Sequence, residues 1–436
     1  MRRLLIVDPT LASLQGHSYN YDRAVGEAAR AHFDDVTIYA DRGFRAPAGD
    51  RLRYETVLNR WPLDALKGRV NRAFHALARL RGKLPAHDAA AGAHATLVPN
   101  VWHWLIRLAQ WLRAREFASS LNQILRAQTH DGEIHVLLQH ARIDELIAIG
   151  QLCAQPAARA GTVHLDLILR DSPGLVNNGR YGEARFAELL VGLARAREFR
   201  VHLFTDSERL TREYLALGVA AVGTLPVPVV DLAPGAPRAE SGELGVAFLG
   251  PARVEKGFCE LARLVESLPR SAAARRVCAM VQVTRASADP RIRHALAELE
   301  QLAGSLPRGA LELLDSPAPP PQYYAWLARA AIVVLPYVSR KYSSSTSGIF
   351  VEAICCGVPV LCPADSWMSD VIEAALRDHG RRIGEAFTRL EQIPRLVERI
   401  AGELARYRAD VDVFAKLWRA RHNPRTWVET LLAEAK

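Results

Sequence analysis

Residues 343–362 read Ser-Ser-Ser-Thr-Ser-Gly-Ile-Phe-Val-Glu-Ala-Ile-Cys-Cys-Gly-Val-Pro-Val-Leu-Cys. A run of hydroxyls ends at Gly348. An apolar stretch follows that carries one carboxylate, Glu352. The pattern predicts a polar loop that opens a helix, with Ser347, Gly348 and Ile349 at the opening. Such an opening presents unpaired backbone N–H groups and the positive end of a dipole, which together select an anion. Glu352, about one turn inside the helix, is placed to accept hydrogen bonds from sugar hydroxyls beside that anion. Anion and hydroxyls together describe a nucleoside diphosphate with its ribose.

A second stretch has the same flavour. Val246-Ala-Phe-Leu-Gly-Pro-Ala-Arg-Val-Glu-Lys-Gly-Phe258 predicts a strand ending at Gly250, a loop with Arg253 and Lys256, and a helix from about Gly257. The carboxyl ends of strands are where open α/β sheets bind ligands. Arg253 offers a fork of donors and Lys256 a point charge, and both suit a diphosphate. Taken alone, the pair reads first as two solvated surface cations. With the Ser347–Glu352 segment in the same half, the diphosphate reading gains.

Short apolar runs alternate with helical patterns along most of the chain, which predicts parallel sheets covered by helices. Strands are expected at 4–7, 36–39, 134–138, 162–169 and 201–205, then at 245–249, 277–283, 311–314, 332–335 and 358–362. The Pro- and Gly-rich segment from Leu225 to Gly242 marks a linker. The expected organisation is a first α/β domain over residues 1–225, a linker at 226–243, and a second α/β domain over 244–415. The two doubly wound domains face a cleft. Residues from about 51 to 128 break the alternation and look mainly helical, as an insertion in the first domain. Its first part is basic. Its later part, Val101–Arg113, sets Trp104, Leu108, Trp111 and Leu112 on one helical face. That stripe reads either as packing on its own domain or as an interfacial membrane contact.

The chain's 436 residues carry a formal net charge of +9, with 49% hydrophobic and 24% charged residues. The composition is that of a globular protein, and the charge favours phosphate-bearing partners or anionic surfaces. No apolar run is long enough to cross a membrane as a helix. The start, Met1 to Asp8, reads as a first strand rather than a leader. Six cysteines show no metal-binding spacing and read as free thiols in a reducing cytoplasm.

Together the motifs resemble family 4 glycosyltransferases, retaining enzymes of the GT-B fold. The matching pieces are Gly250 to Gly257, Leu335-Pro-Tyr337, Ser347 to Ala353 with Gly357-Val-Pro-Val360, and Gly16-His17 in the first strand–helix loop. The resemblance implies that Arg253 and Lys256 bind the donor diphosphate and that Glu352 holds the ribose. It implies a second role for a carboxylate eight residues earlier, near the donor sugar, where this chain has Ser344. A serine there can still bond a sugar hydroxyl but brings no charge. The implied chemistry is metal-independent: the leaving phosphate takes the acceptor proton on one face of the sugar, and charge is held by cations and helix N-termini. No Asp-x-Asp loop stands ready for a metal, and no cofactor is expected beyond the UDP- or GDP-sugar substrate. The first domain is expected to bind the acceptor, a glycan, lipid-linked or other hydroxyl compound such as a growing polysaccharide. A last helix over 416–436, with Trp418 and Trp427, is expected to cross back to the first domain.

For the reacting centre, Gly16 permits close backbone approach, and His17 reads either as a donor or acceptor contact or as a plain loop residue. His140, His164 and the Arg170-Asp171 pair are three further candidates that the sequence does not separate. Asp206-Ser207 reads as a helix cap. Tyr323, Tyr324 and Trp326 read as packing residues. Two other readings stand beside an active transferase: a catalytically weak, nucleotide-binding partner subunit, motivated by Ser344, and a basic scaffold at a membrane or nucleic acid. The expected location is the cytoplasm, peripherally at the inner face of the membrane.

Overall fold

The structure is a computed structural model. It describes residues 1–14, 17–58, 99–128, 132–154, 163–197, 199–229, 242–338 and 341–435. Gly16, the side chain of His17, residues 59–98 of the expected insertion and residues 230–241 of the expected linker lie outside the described residues.

Two parallel sheets organise the chain. The first contains β1 (Arg2–Asp8), β2 (Asp35–Asp41), β3 (Arg53–Leu58), β4 (Glu133–Leu138), β5 (Val163–Leu169), β6 (Arg200–Thr205) and β7 (Gly223–Thr224), in the order β3-β2-β1-β4-β5-β6-β7. The second contains β8 (Glu243–Phe248), β9 (Ser271–Ala272), β10 (Arg275–Val283), β11 (Leu311–Asp315), β12 (Ile332–Val334), β13 (Val360–Pro363) and β14 (Gly384–Phe387). Its order is β11-β10-β8-β12-β13-β14, with the short β9 antiparallel to β10. Strands covered by helices on both faces bury continuous apolar runs. All seven residues of β5 are buried. In each sheet the strand order reverses once, between β1 and β4 and between β8 and β12. Ligands in open α/β sheets bind at the carboxyl ends beside such reversals.

All the strands expected from apolar runs are present, shifted at their ends by one or two residues. Several local expectations are corrected. Residues 53–58 form β3, parallel to β2, where a helical insertion was expected to have begun. This is an edge strand with five of its six residues only partly buried or exposed, so it lacks an apolar run. The helix Pro99–Arg126 buries Ala114, Phe117, Ala118, Leu121 and Ile124 in the first core. Of the expected apolar stripe, Leu108, Trp111 and Leu112 remain 36%, 40% and 41% exposed, and the side chain of Trp104 lies outside the described residues.

The end of the chain is two helices rather than one. Leu404–Arg421 buries Val411, Phe414 and Trp418 in the second domain's core. Pro424–Glu434 buries Trp427, Val428 and Leu431 in the first domain's core. Asn423 caps the second of these helices by accepting the Thr426 N–H at 2.9 Å, and Pro424 fits the first turn. Between them His422 is buried and accepts the Val227 N–H through Nδ1 at 3.0 Å, pinning the two inter-domain crossings together. Burial pushes the His422 imidazole down to about 3, so it is neutral.

Candidate functional site

The carboxyl ends of the two sheets face each other across a cleft of ≈ 310 Å³. One wall comes from the second domain. β8 leads into Gly250, whose N–H donates to Gln282 Oε1 at 2.6 Å. Gly250 has φ +112°, and a Cβ there would stand 2.4 Å from Ile349 Cδ1. Gly257, with φ +75°, would place a Cβ 1.9 Å from the Pro336 carbonyl oxygen. Only glycine fits either position, so the loop between them is held tightly against the 335–337 turn and the Ile349 helix. That loop forms a short turn, Val254–Lys256, and sends Arg253 and Lys256 into the cleft. Arg253 is 53% exposed at its side chain and 3.8 Å from Glu255. Lys256 Nζ lies 5.5 Å from the centre of the Tyr337 ring.

The helix Gly348–Cys355 opens into the same space. Its cap, Ser347 Oγ, accepts the Phe350 N–H at 3.3 Å and meets the Tyr337 hydroxyl at 3.1 Å. Ser347, Gly348, Ile349 and Glu352 all line the cleft. Tyr323 donates its hydroxyl to Glu352 Oε2 at 2.6 Å. Burial pushes the Glu352 carboxyl up to about 7, against the opposing pull of the Tyr323 hydrogen bond and the Lys256 charge. Tyr323 is therefore an orienting partner of the site, and Tyr324 lines the cleft beside it. Both also pack against the second domain's core, as expected, with Trp326 buried in it. Their only sequence signal is a position on the helix Pro320–Arg329, which does not reveal that the face meets Glu352.

The opposite wall comes from the ends of β4, β5 and β6. His140, Arg170, Asp171 and Asp206 line it, with Asn20 and Tyr21 from the first helix, His17–Ala29. His140 Nε2 is 3.2 Å from Asp171 Oδ2. Arg170 donates to the Gln139 carbonyl at 2.7 Å and sits 4.2 Å over the Tyr21 ring. Of the candidates for the reacting centre, His140 and the Arg170-Asp171 pair reach the cleft together. His164 does not: it stands near the amino end of β5, stacked between His135 and His202. Ser207 caps the helix Glu208–Ala216 by accepting the Leu210 N–H at 3.1 Å. Asp206 is not a cap; its carboxylate accepts the Thr346 hydroxyl at 2.7 Å across the domain boundary.

Ser344 is turned away from the cleft lining. It is 4% exposed and donates its hydroxyl to Glu213 in the first domain. Its neighbours do the same work: Ser207 Oγ donates to the Ser344 carbonyl at 2.6 Å, Ser345 Oγ to the Arg170 carbonyl at 3.1 Å, and Arg209 to the Ser343 carbonyl at 3.2 Å. The hydroxyl run is a strap that ties the two domains. Arg209 also holds Asp370 at 2.5 Å, and Glu208 holds Arg421 at 2.6 Å. A larger cavity of ≈ 490 Å³ lies behind this strap, walled by Trp367, Phe414, Trp418 and His422. Four of its charges, Arg209 with Asp370 and Glu208 with Arg421, are paired across the boundary, and it contains neither the helix opening nor Lys256. The smaller cleft is therefore the site whose geometry supports chemistry.

No family model and no curated protein matches the sequence. Solved structures match over the full length. HepE of Anabaena, in complex with UDP and glucose, superposes with a TM-score of 0.60 at 13% identity, covering 99% of this chain and 98% of that one. Sucrose-phosphate synthase from Thermosynechococcus elongatus gives 0.60 at 14%, covering 99% and 97%. The α,α-trehalose 6-phosphate synthase from Burkholderia multivorans gives 0.63 at 14%, covering 100% and 98%. At these identities the likeness is one of fold. Two parallel α/β domains facing a cleft over the whole chain length are the GT-B architecture.

Proposed function

We propose that the chain is a glycosyltransferase that moves a sugar from a nucleoside-diphosphate donor to a hydroxyl acceptor bound by the first domain. The observation that carries this reading is the convergence in one cleft of Arg253, Lys256, the opening of the Gly348 helix and Glu352, facing His140 and Arg170. Arg253 and Lys256 neutralise the diphosphate, and the helix opening supplies backbone N–H groups to it. Glu352, fixed by Tyr323, accepts the ribose hydroxyls. His140, held by Asp171, borders the donor sugar. Fold relatives solved with UDP and glucose or with UDP-glucose support a donor of this class.

In this reading transfer proceeds with retention and without a metal. The bond from the anomeric carbon to the diphosphate breaks while the acceptor oxygen approaches the same face, and the departing phosphate oxygen takes the acceptor's proton. Positive charge and oriented N–H groups stabilise the diphosphate as negative charge collects on it. The acceptor is a glycan or lipid-linked hydroxyl. The exposed Leu108, Trp111 and Leu112 are where the enzyme would rest on an anionic membrane surface, which liposome flotation at low salt tests. No helix among the described residues is long and apolar enough to cross a membrane.

Ser344 supports a second reading, a subunit that binds the nucleotide without turnover, because the place of a family carboxylate is taken by a residue committed to Glu213. Thermal stabilisation by UDP, GDP, ADP and dTDP, for wild type and Lys256→Ala, tests the donor site. A shift with one nucleotide that vanishes in the variant is expected. A transfer assay with the corresponding sugar donors then separates the two readings. No shift with any nucleotide overturns both.

A further inference from the structure

At the amino end of the first sheet, remote from the cleft, three imidazoles and two carboxylates meet on one face. His135 on β4 stands directly opposite His164 on β5, and Asp166 stands opposite His202 on β6. The rings of His135 and His164 are stacked 4.3 Å apart, and those of His164 and His202 5.3 Å apart. Glu133 Oε1 is 3.2 Å from His135 Nε2 and 3.3 Å from His164 Nε2. His135 and His164 are 1% and 3% exposed, whereas the Glu133 side chain is 38% exposed and opens the cluster to solvent. From His135 to His140 is five residues of strand and turn, so the cluster lies roughly 16 Å from the cleft.

We propose that Glu133, His135 and His164 form a binding site for one divalent cation of the zinc class. The donor set is two imidazoles and a carboxylate, which suits Zn²⁺ and its neighbours rather than Mg²⁺ or Ca²⁺. In a tetrahedral site with bonds of about 2.0–2.1 Å, ligand atoms lie about 3.3 Å apart, the spacing that Glu133 Oε1 already keeps from both Nε2 atoms. The supporting partners are also in place. His135 Nδ1 meets Asp166 Oδ2 at 2.8 Å, which fixes the tautomer with the Nε2 lone pair available, and His164 Nδ1 meets His202 Nε2 at 3.1 Å. Asp166 is fully buried, and its other oxygen has no hydrogen-bond partner among the described residues. A buried carboxylate of this kind is costly unless it serves an ordered polar group.

Two adjustments accompany binding. The His135 and His164 rings are 12° from parallel and must turn so that both lone pairs converge. The Arg2 guanidinium, 2.9 Å from Glu133 Oε2 and 3.1 Å from Oε1, occupies the place a cation takes beside that carboxylate and must leave. Arg2 is thus a built-in competitor, which makes the proposal testable in both directions.

The test uses the full chain, stripped with a chelator and titrated with Zn²⁺ by calorimetry, with Co²⁺ absorption as a second readout. Wild type is expected to take up one equivalent, with a cobalt spectrum free of thiolate charge transfer. His164→Asn should weaken binding at least about tenfold, and Asp166→Asn by about 10–100-fold. Arg2→Ala should tighten it severalfold by removing the competing cation. No equivalent in wild type overturns the site, as does a thiolate band, which would assign the metal to the cysteines. If His164→Asn does not fold, Arg2→Ala decides: an unchanged affinity overturns the proposal. The site is independent of the donor cleft, so neither result alters the nucleotide titrations.

Discussion

The two walls of the cleft are built in opposite ways. The second domain supplies much of its wall from two continuous stretches, 250–257 and 347–352, in which backbone geometry does much of the recognition, with Tyr324, Tyr337 and Tyr342 beside them. The first domain supplies single residues from the ends of three strands and one helix: Tyr21, His140, Arg170, Asp171 and Asp206. The cations differ accordingly. Arg253 is half exposed and reaches into open space, while Arg170 is tied to the Gln139 carbonyl and the Tyr21 ring. A diphosphate is recognised by charge and N–H groups that a short loop can carry. An acceptor hydroxyl must be placed by side chains converging from several loops. The second wall should therefore govern donor binding, and the first wall turnover.

Single substitutions on each wall test that division. Lys256→Ala removes a cation beside the Gly250 turn and should have the largest effect. Transfer efficiency should fall by about 10²–10³-fold, with nucleotide stabilisation lost as well. His140→Ala on the opposite wall should lower turnover by about 10–100-fold while the nucleotide dissociation constant stays within about twofold of wild type. Isothermal titration with the nucleotide, beside steady-state transfer rates, reads both. If His140→Ala weakened nucleotide binding as strongly as Lys256→Ala, the two walls would not be functionally distinct.

The same contrast explains what could be read from the chain. The parallel strands were legible because burial on both faces leaves unbroken apolar runs such as Leu4–Val7 and Ile332–Val334. Arg253, Lys256 and Glu352 were legible because Gly250, Gly257 and Gly348 punctuate their loops in sequence. β3 was not, since an exposed edge strand has no such run. The first wall stayed ambiguous because His140 and His164 each sit in or just after an apolar strand; which end of the strand faces the cleft is a property of the whole sheet. Tyr323 and Glu213 were invisible for a related reason. Each matters only through a partner far along the chain, Glu352 in one case and Ser344 in the other.

Ser344 sits where the walls are strapped together. Restoring a carboxylate with Ser344→Glu would set a second negative group against Glu213 in a part-buried contact, at a position that is itself 4% exposed. The expected result is a loss of stability of about 2–4 kcal/mol, read as a lower midpoint in thermal or urea unfolding, with no gain in transfer rate. Adding Glu213→Gln should recover much of the loss. A gain in transfer rate by Ser344→Glu at unchanged stability would instead mean that the strap swings into the cleft, and that the two walls share this residue.

The smallest expected effect separates charge from position within the second wall. The Glu352 carboxyl has a usual value near 4.5 when unfolded and is pushed by burial to about 7 in the folded chain. Between those values the folded chain binds a proton that the unfolded chain has released, so stability falls as pH rises through that window. Ribose hydroxyls donate to the ionised form, so nucleotide affinity should run the other way. It should rise about tenfold between pH 6 and pH 8 as Glu352 loses its proton, then level off. The nucleotide's own phosphate also ionises in this range, so the comparison that counts is with Glu352→Gln, which keeps the shape and the Tyr323 contact but cannot ionise. The variant should lose the part of the slope that belongs to Glu352 and keep the part that belongs to the phosphate. Equal slopes in both proteins would remove Glu352 from ribose recognition and leave the donor's placement to Arg253, Lys256 and the helix opening alone.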